Sequence, residues 1–117
     1  MVANQCEPSV SVLLGNGDGT FRQQVKFPTT AGAVRVDVAD FNDDGNLDLA
    51  MATFASTVDI LLGNGDGTFK APSSFAVASN PFDVSAADFN RDGRTDIVVS
   101  SYGENSISVL IAHPAAW

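Results

Sequence analysis

The sequence predicts an all-β protein built from repeated antiparallel units. Short runs with an apolar residue at every second position recur along the chain, as at Val34, Val36 and Val38. Clusters of Gly, Asn and Asp separate these runs, and such clusters favour tight turns between strands. Apolar residues nowhere keep a helical spacing beyond about one turn. Two different motifs also recur with one period, which indicates that the units are repeats.

The repeat has a period of 48 residues. The segment GNGDGTF stands at 15–21 and again at 63–69. The segment DFNDDGNLD at 40–48 is matched by DFNRDGRTD at 88–96, which is the same shift. Alternating runs flank each motif, so a full repeat contains four short strands. We call them A, which enters the Asp loop, B, which leaves it, C, which enters the Gly-rich turn, and D, which begins at that turn's Phe.

The strand order along the chain is C-D, A-B-C-D, A-B-C, or about nine strands. A repeated four-stranded antiparallel unit of about 40–50 residues is typical of a β-propeller blade. A propeller has about four to eight blades, whereas this chain carries about two and a quarter. Ring closure therefore requires oligomerisation, or a longer protein of which the chain is part.

The strand order divides the chain into units. An N-terminal tail spans 1–8, and a partial blade with strands C and D spans 9–32. A complete blade with the first Asp loop spans 33–81. A partial blade with strands A, B and C and the second Asp loop spans 82–111, and a C-terminal tail spans 112–117.

The incomplete units suggest how copies of the chain would associate. The last unit lacks a strand D, while the first unit supplies one around Phe21, Val25 and Phe27. A neighbouring copy could donate this strand by swapping. We therefore expect a homo-oligomer that completes a propeller, or a fragment of a longer chain. The strand C at 10–14 has no place in the swapped arrangement.

The Asp loops share the form Asp-x-Asn-x-Asp-Gly-x-x-Asp. Calcium prefers roughly six to eight oxygen ligands, and oxygens at alternate positions of a tight loop converge on one point. Gly45 and Gly93 allow the positive φ that reverses the chain around an ion. We therefore expect about two Ca²⁺ per chain. The predicted ligands are the side chains of Asp40, Asn42, Asp44 and Asp48 with the carbonyl of Asn46, and the side chains of Asp88, Asn90, Asp92 and Asp96 with the carbonyl of Arg94.

These loops are not EF-hands. The bidentate Glu at the twelfth position of an EF-hand loop is replaced by Met51 and Val99, which lie on strand-like runs. The ninth-position Asp must then close the site. The alternative is that the aspartates only form Asx-turns, but their repetition at a fixed period favours metal binding.

The two Asp loops differ in charge. The first contains four aspartates and no basic residue, which gives a net charge of −4. The second contains three aspartates together with Arg91 and Arg94, which gives −1. The arginines stand at positions whose side chains are not predicted ligands, so they weaken binding only through their field. We expect the first loop to bind calcium more tightly.

The Gly-rich turns predict hairpins with a bulge, because several residues in each can adopt positive φ. Their spacing matches no phosphate-binding loop. Phe21 and Phe69 are expected to anchor strand D in the core. The alternative is that polar side chains of these turns contact a sugar at a blade rim. These side chains are Asn16, Asp18, Asn64 and Asp66.

Composition excludes several classes of function. The net charge is −8, which argues against binding of nucleic acid. No apolar run approaches the roughly 20 residues that cross a bilayer, so membrane insertion is not expected. No signal-peptide pattern opens the given sequence. Cys6 is the lone cysteine, and His113 is the lone histidine. An intramolecular disulfide is therefore excluded, and catalysis by a nucleophile–histidine pair is not expected.

At these motifs the chain resembles the FG-GAP and VCBS repeats of integrin-α-like propellers. The residues that carry the resemblance are DFNDDGNLD, DFNRDGRTD and the twofold LLGNGDGTF, and the similarity covers 9–111. The resemblance implies calcium in each Asp loop, blades around an axis, and a secreted or cell-surface setting. We expect a non-catalytic calcium-binding repeat module that presents loops to a protein or cell surface. A lectin-like carbohydrate-binding propeller and an accessory domain of a secreted enzyme remain alternatives.

Overall fold

The computed structural model describes residues 1–112 of the chain. Of the predicted C-terminal tail, only Ala112 is included, and His113 and Trp117 lie outside the described residues. The described part contains ten strands and no helix, which confirms the all-β fold class. It accordingly has no helix long and apolar enough to cross a membrane.

The ten strands form three antiparallel sheets that follow one another along the chain. The strands are β1 (Val2–Asn4), β2 (Ser9–Val12), β3 (Val25–Pro28), β4 (Ala33–Ala39), β5 (Asp48–Thr53), β6 (Thr57–Leu61), β7 (Ser73–Ala76), β8 (Pro81–Ala87), β9 (Asp96–Ser101) and β10 (Ser106–Leu110). Sheet 1 has the order β1-β2-β3, sheet 2 β4-β5-β6-β7, and sheet 3 β10-β9-β8. Sheet 2 is therefore a complete blade-like unit with all four predicted strands. The sheets do not close into a barrel, as expected for separate propeller-like blades.

Strand β1 lies in the segment that the sequence assigned to an N-terminal tail. Ala3 pairs with Val10 in sheet 1 as Ala52 pairs with Val58 in sheet 2. Strand β1 is therefore the strand B of the first unit, which lacks only strand A. Its three residues are too few to produce a recognisable alternation, so pairing with β2 and not local pattern defines it.

Sheet 2 is buried on both faces because the other two sheets cover it. All six residues of β5 are buried. Leu49 and Met51 pack towards sheet 1, whereas Ala50 and Ala52 pack towards sheet 3. This division follows from the period-two geometry of a strand, in which successive side chains point to opposite faces. The result is two apolar layers, one on each side of sheet 2.

Polar contacts also join neighbouring sheets. The buried Asp59 carboxylate on β6 accepts hydrogen bonds from the Thr30 amide at 2.6 Å and the Ser74 hydroxyl at 2.8 Å. Thr30 lies in the link between sheets 1 and 2. On the other side of sheet 2, the Ala86 amide donates to Asp37 at 3.0 Å. The bonds from Thr30 and Ala86 therefore tie sheet 2 to the link from sheet 1 and to sheet 3 through carboxylate acceptors on sheet 2.

The Gly-rich turns are hairpins, as predicted. Gly15 bridges Phe21 and Gly63 bridges Phe69 across the turns. The four turn glycines with positive φ are Gly17, Gly19, Gly65 and Gly67. The expectation for the two phenylalanines holds only in part. Phe69 is half-buried against Phe27, with ring centroids 5.1 Å apart, but Phe21 is 65% exposed. Phe21 lies on the outer side of sheet 1, where the described residues provide no neighbouring sheet.

Candidate metal centres

Each Asp loop joins a strand A to a strand B at one end of its sheet. The first connects β4 to β5, and the second connects β8 to β9. Gly45 and Gly93 have φ values of 83° and 84°, as predicted for the chain reversal. Asp43 and Arg91 also adopt positive φ, at 59° and 60°, which the sequence did not predict. Aspartate tolerates this left-handed conformation better than most residues, so the first loop is less strained than the second.

Three carboxylates converge in each loop. In the first loop, Asp40, Asp44 and Asp48 each offer an oxygen, and these oxygens lie within 4.8 Å of one another. In the second loop, the carboxylates of Asp88, Asp92 and Asp96 hold the corresponding positions, and their oxygens also lie within 4.8 Å of one another. The structure thus brings together the first, fifth and ninth positions of both motifs, although their role as metal ligands stays a prediction.

The ninth-position aspartate is the buried member of each cluster. Asp48 is fully buried and accepts hydrogen bonds from the amides of Phe41 and Gly63, both at 2.8 Å. These bonds tie the Asp loop to the start of the Gly-rich turn in the same unit. Burial raises the pKa of the Asp48 carboxyl, although the two amide hydrogen bonds oppose this shift. The nearby carboxylates of Asp44 and Asp40 add to the rise.

Asp96 occupies the same place in the second loop. It is fully buried and accepts hydrogen bonds from the amides of Phe89 at 2.9 Å and Ala112 at 2.8 Å. Ala112 therefore holds the position that Gly63 holds in the preceding unit. The sequence analysis did not predict the hydrogen bond from the start of the following turn to the ninth-position Asp, because the donating amide lies 15 or 16 residues further along the chain.

The first-position aspartates hold the loop backbone in place. Asp40 accepts hydrogen bonds from the amides of Asp44 at 3.2 Å and Gly45 at 2.8 Å. Asp88 accepts the equivalent bonds from Asp92 at 3.1 Å and Gly93 at 2.8 Å. The loop is therefore already folded around its carboxylates by its own N–H groups.

The fifth-position aspartates have lowered pKa values. The amide of Asn46 donates to Asp44 at 2.9 Å, and this bond is the main cause of the lowered pKa of Asp44. The amide of Arg94 donates to Asp92 at 2.9 Å and lowers the Asp92 pKa in the same way, with a further contribution from the arginine charge. Both carboxylates are thus kept ionised. The proposed carbonyl ligation by Asn46 and Arg94 stays a prediction.

The third-position asparagines differ between the loops. Asn42 donates its side-chain amide to Asp44 at 3.2 Å, and Asn90 donates to Asp92 at 3.1 Å. In the second loop, Asn90 Oδ1 also accepts a hydrogen bond from the Asp92 amide at 3.3 Å. In the first loop, Asn42 Oδ1 is buried and has no hydrogen-bond partner among the described residues. A buried oxygen without a donor, beside three converging carboxylates, fits a cation as its missing partner.

Three antiparallel sheets, of which sheets 2 and 3 carry an acidic loop between strands A and B, define a β-repeat protein of the propeller type. The FG-GAP-like repeat matches residues 1–51 and 40–99 of the chain. The chain therefore belongs to the FG-GAP-like repeat family. Repeats of this family are typically non-catalytic structural modules, and FG-GAP repeats are known to bind calcium. No curated protein and no solved structure matches the chain.

Proposed function

We propose that this chain is a non-catalytic calcium-binding repeat module, secreted or displayed at the cell surface, in which one Ca²⁺ in each Asp loop stabilises the sheets. The observation that carries the proposal is the first loop, where three carboxylates offer oxygens within 4.8 Å of one another and the buried Oδ1 of Asn42 has no hydrogen-bond partner among the described residues. Oxygen donors of this kind suit a hard dication. The second loop repeats the carboxylate cluster with a lower net charge.

Bound calcium would supply positive charge that offsets the mutual repulsion of the three carboxylates. The chain's own residues prepare the site. Asp40 fixes the loop backbone, while Asp48 links the loop to Gly63 at the end of strand C. Ionised Asp48 is costly in its buried position, which its raised pKa reflects. Neutralising that charge stabilises the fold, and this is the structural role that we assign to the metal.

An extracellular setting fits the modest calcium affinity expected of these sites. Neither loop has the twelfth-position Glu that closes an EF-hand, and Asp44 and Asp92 are exposed. Extracellular calcium modules bind with dissociation constants of about 10⁻⁴–10⁻³ M. Sites of this strength are filled at extracellular calcium levels. Fractionation of the producing cells tests this part of the proposal, and retention of the protein inside them contradicts it.

The carboxylates of the Asp loops are poorly suited to acid–base catalysis. Asp44 and Asp92 have lowered pKa values, whereas a general acid needs a raised one. Asp48 has a raised pKa, but both of its oxygens already accept main-chain hydrogen bonds. None of the described residues is a histidine. These observations support a structural function for the loops.

Thermal unfolding with calcium and with a chelator tests the proposal. A ligand that binds only the folded state stabilises it by about 2.7 kcal/mol at a hundredfold excess over its dissociation constant. We expect a clear rise in the melting temperature with calcium. The double variant Asp44→Ala/Asp92→Ala should lose the response, because it removes one exposed carboxylate from each cluster. Asp18→Ala, which removes an exposed aspartate from a Gly-rich turn, should keep it. A wild-type melting temperature that is insensitive to calcium contradicts the proposal.

One observation favours carbohydrate binding as a second candidate. The rim opposite the Asp loops exposes Phe54, Phe82 and Tyr102, at 63%, 53% and 68%. These aromatic side chains line a cleft of about 220 Å³ together with the amides of Asn80 and Gln5. Exposed rings beside amide groups suit the apolar faces and hydroxyls of a sugar. By contrast, Asn16 and Asp18 of the first Gly-rich turn hydrogen-bond Thr20 within their own turn, which disfavours a sugar contact there.

A glycan array with the calcium-loaded chain tests this candidate. Binding that Tyr102→Ala abolishes would support the cleft as a sugar site. Phe21→Ala, at an equally exposed aromatic residue away from the cleft, is the matched control. An array without any bound glycan leaves the metal-stabilised module as the sole function supported.

A further inference from the structure

The outer face of sheet 3 carries apolar side chains at positions that are covered elsewhere in the molecule. Ile107 and Val109 on β10 are 69% and 53% exposed. Ile107 and Val109 pair with Ser100 and Val98 of β9. Val58 and Ile60 occupy the equivalent positions in sheet 2, where they pair with β5. Val58 and Ile60 are 0% and 1% exposed because sheet 3 packs over them. The same face of sheet 3 has no such cover among the described residues.

The outer face of sheet 1 carries residues equivalent to those through which sheet 2 contacts sheet 1. Val2 pairs with Ser11 as Met51 pairs with Asp59, yet Val2 is 53% exposed whereas Met51 is fully buried. Phe21 corresponds to Phe69 by the 48-residue period, and Phe69 packs on Phe27 of sheet 1. Sheet 1 thus exposes the residues that, in sheet 2, contact the preceding sheet.

The two outer faces are therefore the two complementary halves of the sheet–sheet interface found inside the chain. We propose that the outer face of sheet 1 in one copy packs on the outer face of sheet 3 in a second copy, head to tail. The strand pairing places Lys26 of β3 on the same face as Val2 and Asp83 of β8 on the same face as Ile107, so the two outer faces carry charged side chains of opposite sign. None of these residues is a predicted calcium ligand, so this inference does not rest on the proposed function.

The number of sheets selects two copies. The described residues of each chain form three sheets, so two chains joined through two such contacts give a ring of six. Three chains would give nine, which lies outside the range of about four to eight blades in propellers. Head-to-tail contacts close into rings when the rotation between units permits it.

This arrangement differs from the strand swap suggested by the sequence. The strand expected to be donated, β3, already pairs with β2 through Val12–Val25 and Val10–Phe27. Donation would break that ladder and uncover Val10 and Val12, which are buried. Packing of the two outer faces needs no exchange of strands and leaves every pairing in place. It also gives the strand C at 10–14 a place, because that strand stays in sheet 1 as β2.

Light scattering after size exclusion tests the proposal on the full chain, with calcium present. We expect a particle of twice the chain mass. Ile107→Asp on sheet 3 and Phe21→Asp on sheet 1 should each raise the dissociation constant at least tenfold. Phe54→Asp is the matched control, because Phe54 is similarly exposed but lies in the turn between β5 and β6, away from both outer faces, and it should leave the dimer intact. Val109→Asp and Val2→Asp repeat the test on each face should a first variant fail to fold.

Mixing the two variants distinguishes the possible modes of association. In a head-to-tail pair, an Ile107→Asp chain and a Phe21→Asp chain keep one undamaged interface between them, so the mixture should regain a two-chain particle. Two outcomes overturn the proposal. One is a wild-type monomer at every concentration measured. The other is a Phe21→Asp variant that stays dimeric while Ile107→Asp dissociates, which would show sheet 3 pairing with its own copy.

Discussion

The two Asp loops have nearly the same backbone and very different surroundings. Phe41, the second residue of the first loop, is 3% exposed and packs between sheets 2 and 3. Phe89, at the same position of the second loop, is 49% exposed. The first loop belongs to the middle sheet, which has a neighbour on each face, whereas the second belongs to sheet 3. The stability of a repeat unit therefore depends on whether other sheets pack on both of its faces as much as on its own sequence.

The candidate metal ligands of the two loops also differ in burial. Asp40 is half-buried whereas Asp88 is exposed, and Asn42 Oδ1 is buried without a hydrogen-bond partner among the described residues, whereas Asn90 Oδ1 accepts a hydrogen bond from the Asp92 amide. In addition, the second loop carries two arginines where the first carries Asp43 and Asn46. Burial and charge thus point in the same direction. The first loop is therefore the more favourable candidate calcium site and the more deeply buried part of the fold.

The largest difference is expected for the two phenylalanines. Phe41→Ala should destabilise the chain by about 3–5 kcal/mol, because it leaves a cavity between two sheets. Phe89→Ala should cost about half as much or less, since water already reaches that ring. Urea unfolding in the presence of a chelator measures both changes without a contribution from metal. Equal losses would break the comparison.

The ninth-position aspartates should show a smaller difference in the same direction. Asp48→Ala leaves the amides of Phe41 and Gly63 without acceptors, and an unsatisfied buried group costs about 1–3 kcal/mol. Asp96→Ala removes equivalent bonds, but the amide of Phe89 is only partly buried. We expect the first variant to lose about 2–4 kcal/mol and the second about half of that by urea unfolding with chelator. A greater loss from Asp96→Ala would contradict the ranking of the loops.

Calcium affinity should differ by about tenfold between the loops. The loops differ by three units of net charge, and an exposed charge pair contributes about 0.5 kcal/mol. The total of roughly 1.4 kcal/mol corresponds to a factor of ten in the dissociation constant. In calorimetric titrations, Asp92→Ala, which leaves the first loop intact, should retain the tighter binding. Asp44→Ala should retain the weaker binding, and equal affinities in the two variants would refute the assignment.

A charge exchange separates the effect of charge from that of burial. Arg91→Asp and Arg94→Asn together give the second loop the net charge of the first. In the Asp44→Ala background, this double change should strengthen calcium binding by the second loop. Full recovery of the affinity of the first loop would show that charge alone sets the difference. Any remaining gap measures the contribution of burial and of the Asn42 oxygen.

The smallest expected effect is a pH dependence within the first loop. The raised pKa of Asp48 means that, without calcium, its contribution to stability is present at acid pH and is lost as the pH rises through that pKa. The lowered pKa of Asp44 has the opposite sign, and its contribution is lost as the pH falls. The proposed calcium binding by Asp48 requires its ionised form. The calcium-induced rise in melting temperature should therefore be larger at pH 7 than at about pH 4.5.

The Asp92→Ala variant isolates the first loop for this measurement. Its calcium response should grow steadily as the pH is raised, while an identical response at both pH values would exclude Asp48 as a titrating ligand. Replacing calcium by sodium at equal ionic strength controls for general screening.

Much of the local structure was predictable, because it depends on residues close in sequence. The 48-residue period located both loops and both Gly-rich turns, and the alternation of apolar residues, together with these turns, predicted nine of the ten strands in the described residues. The positive φ of Gly45 and Gly93 also followed from the motif. Strand β1 was not predictable, since three residues form a strand only when a partner such as β2 supplies the hydrogen bonds.

By itself, the sequence determined the repeat unit: its strands, its turns, and the convergence of three aspartates in each loop. The tertiary structure decided which copies of a position are buried, as for Phe41 against Phe89 and Phe69 against Phe21. It also decided that Asp59 accepts hydrogen bonds from the link to sheet 1, because those donors stand up to 29 residues away. A local pattern specifies which face of a strand is apolar. Only the packing of one sheet on another specifies whether that face is removed from water.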